Sequence, residues 1–142
     1  MKSKWLVIAV VILAVMSAFF FLRENTSLPD VNTPQNMTVN LSEYSNSGQT
    51  GTATLTQTQD GVRVELSLTG YDTDSPQPSH IHTGECPRIG PVVHALTDVV
   101  NGKSVTNVET TLEELTKADE LNINVHASYD DFSTYTSCGN IN

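Results

Sequence analysis

The chain has 142 residues, enough for one domain of ordinary size and a shorter appendage. Its formal net charge is −9, with 16 acidic residues against 7 lysines and arginines. This acidic excess argues against nucleic acid and anionic lipid as partners, because both are negatively charged themselves. The charge indicates instead a solvated acidic surface that keeps the domain soluble.

The chain begins with an apolar run, Trp5 to Leu22, that is interrupted only by Ser17. As a helix this run would be about 27 Å long, close to the thickness of the hydrocarbon core of a bilayer. Lys2 and Lys4 precede it, so the positive-inside rule places the rest of the chain outside the cytoplasm. We predict a transmembrane signal anchor in residues 1–23; the alternative is a cleaved signal peptide and secretion.

Residues 24–36 are polar, contain two prolines and predict a linker. Asn25, Asn36 and Asn40 each begin an Asn-x-Ser/Thr glycosylation sequence, which a chain rich in Asn and Thr acquires by chance. The remaining residues, 37–142, are predicted to form one extracytoplasmic domain.

Short stretches of alternating apolar and polar residues dominate that domain. The segment VRVELSLT, residues 62–69, alternates in this way and follows Asp60-Gly61, a strong hairpin signal. Residues 121–126 alternate as well, and Thr111 can cap one short helix before them. We therefore expect an all-β fold, a Greek-key β-sandwich or flattened barrel of about seven or eight antiparallel strands.

The chain has two cysteines, Cys86 and Cys138. In an exported domain two cysteines are expected to form a disulfide, which would stabilise this fold by about 4 kcal/mol if chain entropy dominates. Two free thiols, or a Cys-His metal site that needs both cysteines reduced, are the alternatives.

Three histidines form a candidate metal site. His80 and His82 are two positions apart on a predicted strand, so both imidazoles lie on one side of it and can bind one copper or zinc ion. His126 lies on the polar side of a later strand, and a Cys86–Cys138 disulfide would bring that part of the chain toward the first two. The alternative is a solvated polar face, which is the commoner origin of an H-x-H pair.

The segments SHIHTGEC, NVHASYDD and SCGNI resemble the copper/zinc superoxide dismutase family, which has an H-V-H pair, a cysteine soon after it, and a late V-V-H before a D-D pair. The resemblance covers residues 37–141 and implies copper as cofactor and superoxide as substrate. The positions that it implies are His80, His82 and His126 as copper ligands, Asp130 as the aspartate that orients ligands, and Cys86 and Cys138 as the disulfide.

The chain also departs from that family. The family's bridging histidine lies in a G-P-H segment, whereas GPVVH places His94 two residues later; His94 is the candidate for a fourth ligand that delivers a proton. The family's zinc-binding loop is absent, so we expect a copper-only site without zinc. Tyr135 stands where the family has an arginine that attracts the anion, and Arg88 is the nearby substitute.

The same segments resemble the small CHRD domains, named after chordin, through motifs such as HIH, GPVV and VNVH. Those domains share a related sandwich and have no generally assigned catalytic activity. The leading prediction is a membrane-anchored, extracytoplasmic copper-binding domain that dismutates superoxide. A non-catalytic surface module and a copper carrier are the alternatives, so whether the domain is an enzyme is left open, as is its oligomeric state.

Overall fold

A computed structural model describes residues 35–70 and 73–141 of the chain. The elements in chain order are β1 (Asn36–Glu43), β2 (Thr50–Thr58), β3 (Gly61–Thr69), β4 (Gln77–Glu85), β5 (Arg88–Val99), β6 (Lys103–Val108), α1 (Leu112–Lys117), β7 (Leu121–His126) and β8 (Tyr135–Asn140). The predicted anchor in residues 1–23, and nearly all of the predicted linker, lie outside the described residues. Within the described ranges no helix is long and apolar enough to cross a membrane.

The eight strands form one antiparallel sheet in the order β5-β4-β7-β8-β1-β2-β3-β6. Its two outer strands approach each other: Thr97 of β5 donates its N–H to Thr106 Oγ1 of β6 at 2.8 Å and accepts from Ser104 Oγ at 2.5 Å. The sheet is therefore nearly closed into a barrel. The prediction of an all-β domain with about eight antiparallel strands is confirmed.

The core lies inside this barrel and follows from the alternation in the sequence. β3 shows it most clearly, since Val62, Val64, Leu66 and Leu68 are buried on one side of the strand. The hairpin predicted at Asp60-Gly61 joins β2 to β3, with Thr58 opposite Gly61. Each fully buried aliphatic side chain contributes about 1.5–3 kcal/mol, so the alternation sets both the sheet face and much of its stability.

The helix α1 begins where the sequence predicts. Thr111 is its N-cap and forms a capping box with Glu114: the Glu114 N–H donates to Thr111 Oγ1 at 3.1 Å, and the Thr111 N–H donates to Glu114 Oε2 at 2.9 Å. The bond from the Thr111 N–H, together with one from Thr110 Oγ1, lowers the pKa of the Glu114 carboxyl, because hydrogen bonds to the carboxylate favour its charged form. The helix places Leu112 and Leu115 against the core.

Cys86 and Cys138 form the predicted disulfide, across 52 positions of the chain. The alternative of two free thiols is therefore wrong, and the described residues include no free cysteine. The bond joins the turn between β4 and β5 to β8. The Cys86 N–H also donates to Asn140 Oδ1 at 2.9 Å, so this turn is held at two points.

Strand β7 differs from the others because all six of its residues are buried. Ile123 and Val125 belong to the core. Asn122, Asn124 and His126 alternate with them and so lie on the outer side of the sheet, where buried polar side chains are unusual. This buried polar surface on the outside of the barrel is therefore the candidate functional site.

Candidate metal centre

Two neighbouring strands carry the three histidines of the centre. His80 of β4 pairs with Asn124 of β7, and His82 pairs with Asn122. His126 is the last residue of β7. Residues directly opposite in an antiparallel pair share a face, as do residues two apart on one strand. All three imidazoles therefore lie on the outer side of the sheet.

The three side chains converge closely. One ring nitrogen of each of His80, His82 and His126 lies within 4.8 Å of the others. The shortest separation joins His80 Nδ1 to His126 Nε2, at 3.1 Å. The structure thus brings together the three histidines that the sequence singled out.

Backbone carbonyls orient two of the rings. His82 Nδ1 lies 2.8 Å from the Gly90 carbonyl oxygen, and His126 Nδ1 lies 2.6 Å from that of Phe132. A carbonyl oxygen only accepts, so each Nδ1 carries the hydrogen, and in the neutral ring Nε2 keeps its lone pair. Histidines that bind metals are commonly held in this way by a bond to the other ring nitrogen.

The Nε2 atoms of these two rings have different surroundings. His126 Nε2 faces His80 Nδ1, which donates a hydrogen to it in the absence of metal. His82 Nε2 is buried and has no hydrogen-bond partner among residues 35–70 and 73–141. A buried acceptor without a partner is costly, which makes this lone pair a natural ligand position.

Burial favours the neutral form of His80 and His126. It lowers the pKa of His80 to about 4, helped by repulsion from His126 and His82 and opposed by the charge of Asp98. Burial also lowers the pKa of His126, against the opposing effect of its bond to Phe132. Because neutral imidazole is the form that binds metal, both rings are ready to act as ligands at pH 7.

Aromatic rings enclose one side of the centre. The Phe132 ring stacks on His126 with centroids 4.0 Å apart and planes 21° apart, and Tyr135 lies 4.8 Å from the same ring. Phe132 is also 5.6 Å from the ring of His80. An apolar wall of this kind limits the access of water and lowers the local dielectric constant around a bound ion.

The sequence model of the CHRD domain matches residues 32–129, which is more than half of the chain and includes all three histidines. The chain belongs to the CHRD family. No curated protein is significantly similar to it. The comparisons thus support the resemblance to CHRD domains and give no support to the resemblance to superoxide dismutase. Copper, superoxide and membrane anchoring stay predictions for this CHRD domain.

His94 does not join the three histidines. It pairs with Ile81, while His82 pairs with Val92, so one extra residue of β5 forms a bulge between these two pairs. On a regular strand, a shift of two residues would have kept the His94 side chain on the side of the candidate metal ligands. The bulge places it on the opposite side of the sheet. His94 therefore lies on the side of the core residue Ile81, away from His80 and His82.

Arg88 lies at some distance from the centre. It is exposed, begins β5 and pairs with Glu85 of β4. Glu85 is three positions beyond His82 on its strand, which corresponds to about 10 Å.

Asp130 is exposed in the loop after β7. The contact that orients His126 comes instead from the Phe132 carbonyl. The carboxylate whose charge acts on His80 is that of Asp98, which accepts hydrogen bonds from Tyr129 Oη at 3.1 and 3.0 Å.

Sequence reasoning missed several groups around this CHRD domain's centre. Gly90 and Phe132 act through backbone carbonyls, for which a sequence carries no signal. The sequence does indicate that Asn122 and Asn124 share a side of β7 with His126, because all three alternate with the core residues of that strand. Asn122 is structural: its Nδ2 donates to the carbonyls of Thr83 and Gly84 at 3.3 and 2.8 Å.

Proposed function

We propose that this CHRD domain binds one copper ion through His80, His82 and His126. The observation that supports the proposal most strongly is the orientation of two rings by backbone carbonyls, which leaves both Nε2 lone pairs free to bind an ion, that of His126 facing His80 Nδ1 at 3.1 Å. The buried Nε2 of His82, which has no partner in the described part of the chain, supports it independently.

The distances between the ring nitrogens of the three histidines suit a metal ion. Metal–nitrogen bonds of about 2.0–2.1 Å and bond angles of 90–180° place two ligand nitrogens roughly 2.9–4.1 Å apart. His80 and His126 are already in this range at 3.1 Å. The widest pair is within 4.8 Å, so a small rotation of the imidazoles completes the set. To bind the ion through Nδ1, His80 would adopt the tautomer that carries its hydrogen on Nε2, which frees the Nδ1 lone pair.

Three neutral imidazoles suit copper and zinc among the common metals, and Cu²⁺ binds nitrogen ligands most tightly of the divalent first-row ions. We therefore propose copper as the bound metal. The proposed set does not include His94, because β5 carries it to the other side of the sheet.

Superoxide is the substrate that the resemblance suggests. A copper ion bound here would supply one-electron redox chemistry, in which one superoxide is oxidised to O₂ and a second is reduced, with two protons, to H₂O₂. The chain's own charges oppose this reaction. The net charge is −9, Asp98 acts on His80, and Arg88 lies about 10 Å along the sheet from His82.

A non-catalytic copper-binding module is the second candidate function. The negative charge of Asp98 beside the centre favours it, since a superoxide anion would be repelled before it reached the copper. Both candidate functions use the same copper site and differ only in whether the bound copper turns over superoxide.

The test uses the full chain, loaded with Cu(II) and freed of excess metal. We expect about one copper per chain by metal analysis, with nitrogen hyperfine structure in the EPR spectrum. His82→Ala and His126→Ala should lose the copper, whereas the matched control His94→Ala should keep it. Copper well below one per chain, or equal copper in all variants, would overturn the proposal. Zinc retained in place of copper would contradict the choice of metal.

A superoxide assay on the same loaded protein separates the two candidates. Turnover that disappears in His82→Ala establishes the enzyme. Tight copper binding without turnover above that of free Cu(II) establishes the non-catalytic module.

A further inference from the structure

Asn124 lies on the same side of the sheet as the three histidines. It lies directly opposite His80 across the β4–β7 pair and two positions before His126 on β7. Its Cβ is therefore about 4.5–5.5 Å from that of His80, on the same side of the sheet. On its other side Asn124 pairs with Cys138 of β8, which forms the disulfide with Cys86.

The side chain of Asn124 is fully buried, yet neither its Nδ2 nor its Oδ1 has a hydrogen-bond partner among the residues that the structure describes. An amide in this state costs about 1–3 kcal/mol relative to one with its bonds made. Asn122, two positions earlier on the same side, is equally buried but donates to two carbonyls. Among the described residues, the fold therefore satisfies the amide of Asn122 and leaves that of Asn124, which lies opposite His80, unsatisfied.

We propose that Asn124 is the fourth protein ligand of the bound ion, through its amide oxygen. This inference rests on the proposed copper site and extends it to a three-nitrogen, one-oxygen donor set. Within the described part of the chain, Asn124 Oδ1 and His82 Nε2 are both buried acceptors without a partner, and one cation bound by both atoms would satisfy both.

The amide oxygen also gives the site a preference between oxidation states. A neutral oxygen is a hard ligand, and hard ligands stabilise Cu(II) more than the soft Cu(I) ion. Asn124 is then expected to tighten the binding of Cu(II) and to have little effect on the binding of Cu(I). A structural amide would have no such selectivity.

The test compares Asn124→Leu with the wild-type full chain. Leucine has the same branched shape, with two methyl groups in place of the amide oxygen and nitrogen, and so removes both polar atoms. Competition with chelators of known affinity measures Cu(II) and Cu(I) binding separately, and thermal unfolding measures the metal-free proteins. We expect Cu(II) binding at least about tenfold weaker, Cu(I) binding unchanged, and an altered Cu(II) EPR spectrum. A tenfold loss confined to Cu(II) raises the reduction potential by about 59 mV.

Two further variants keep the test decisive. Metal-free Asn124→Leu should unfold at the same temperature as wild type or higher, because an unsatisfied amide has been removed, whereas Asn122→Leu should unfold at a lower one. Asn124→Asp keeps an oxygen ligand and adds a charge, so it should bind Cu(II) at least as tightly as wild type.

Each negative result overturns a different part of the proposal. If wild-type protein retains no copper, the proposed copper site fails, and this inference with it. If wild-type protein binds copper and Asn124→Leu binds both oxidation states with unchanged affinity and spectrum, only the role of Asn124 is overturned. A loss of Cu(II) binding in Asn124→Asp as large as in Asn124→Leu would also overturn it.

Discussion

His80 Nδ1 lies 3.1 Å from His126 Nε2, although 46 positions separate the two residues in the chain. Pairing of β4 with β7 places them side by side, and the Phe132 carbonyl turns the ring of His126 so that its lone pair faces His80. The hydrogen bond between these two neutral imidazoles can be replaced by a metal ion that binds both nitrogens.

Copper should stabilise the folded protein. An ion that binds only the native state adds about 2.7 kcal/mol to the free energy of unfolding when its free concentration is 100 times Kd. Thermal unfolding with and without Cu(II) measures this, and a chelator should reverse the increase. His82→Ala is the informative comparison, because an equal shift in that variant would place the copper elsewhere on the chain.

The metal-free protein should lose stability in mild acid through His80. Its pKa is about 4 in the fold against an ordinary 6.5, so between these values the unfolded chain binds a proton that the native ring does not. The contribution of His80 to the free energy of unfolding is fully present above pH 6.5 and is lost as the pH falls toward 4. Urea unfolding at pH 7.0 and 4.5 should show a smaller loss in His80→Gln than in wild type; equal losses would argue against a depressed pKa.

Removing the disulfide should destabilise the fold and loosen the centre. Replacing both Cys86 and Cys138 by serine is expected to lower the free energy of unfolding by about 2–5 kcal/mol, as measured by denaturant titration. Because Cys138 pairs with Asn124, copper binding should weaken as well. Wild-type copper affinity in the double variant would show that the disulfide supports the barrel alone.

Phe132→Ala should change the environment of His126. Loss of the stacked ring removes about 0.5–1.5 kcal/mol of packing and exposes the imidazole to water. Since burial is the largest cause of its lowered pKa, the pKa of His126 should rise toward its ordinary value. NMR titration of the metal-free protein measures this. Tyr129→Phe, in the same loop, is the matched control and should leave the pKa of His126 unchanged.

A large part of the fold was predictable from local pattern. The alternation in residues 62–69, the Asp60-Gly61 turn and the Thr111 cap each act over a few residues, and the structure confirms all three. The disulfide was predictable because the chain has two cysteines. Whether the strands formed two packed sheets or one nearly closed barrel was not predictable, because that depends on how the outer strands β5 and β6 meet.

The candidate site was only partly predictable. His80 and His82 share a side because side chains alternate along any strand, and this holds wherever the strand lies in the sheet. The expected place of His94 depended on the same rule, which a bulge in β5 interrupts. Bulges arise from the pairing of two strands, and the sequence of one strand does not show them.

By itself, the sequence determined which side chains alternate, which two histidines act as a pair and which cysteines can bond, because each depends on period, spacing or count. Tertiary structure alone decided that His126 meets His80 and that His94 does not. It also decided that two backbone carbonyls orient the rings and that the amide of Asn124 is buried without a hydrogen-bond partner in the part of the chain that the structure describes. The physical reason is strand register: hydrogen bonds between strands far apart in the chain set which residues face one another.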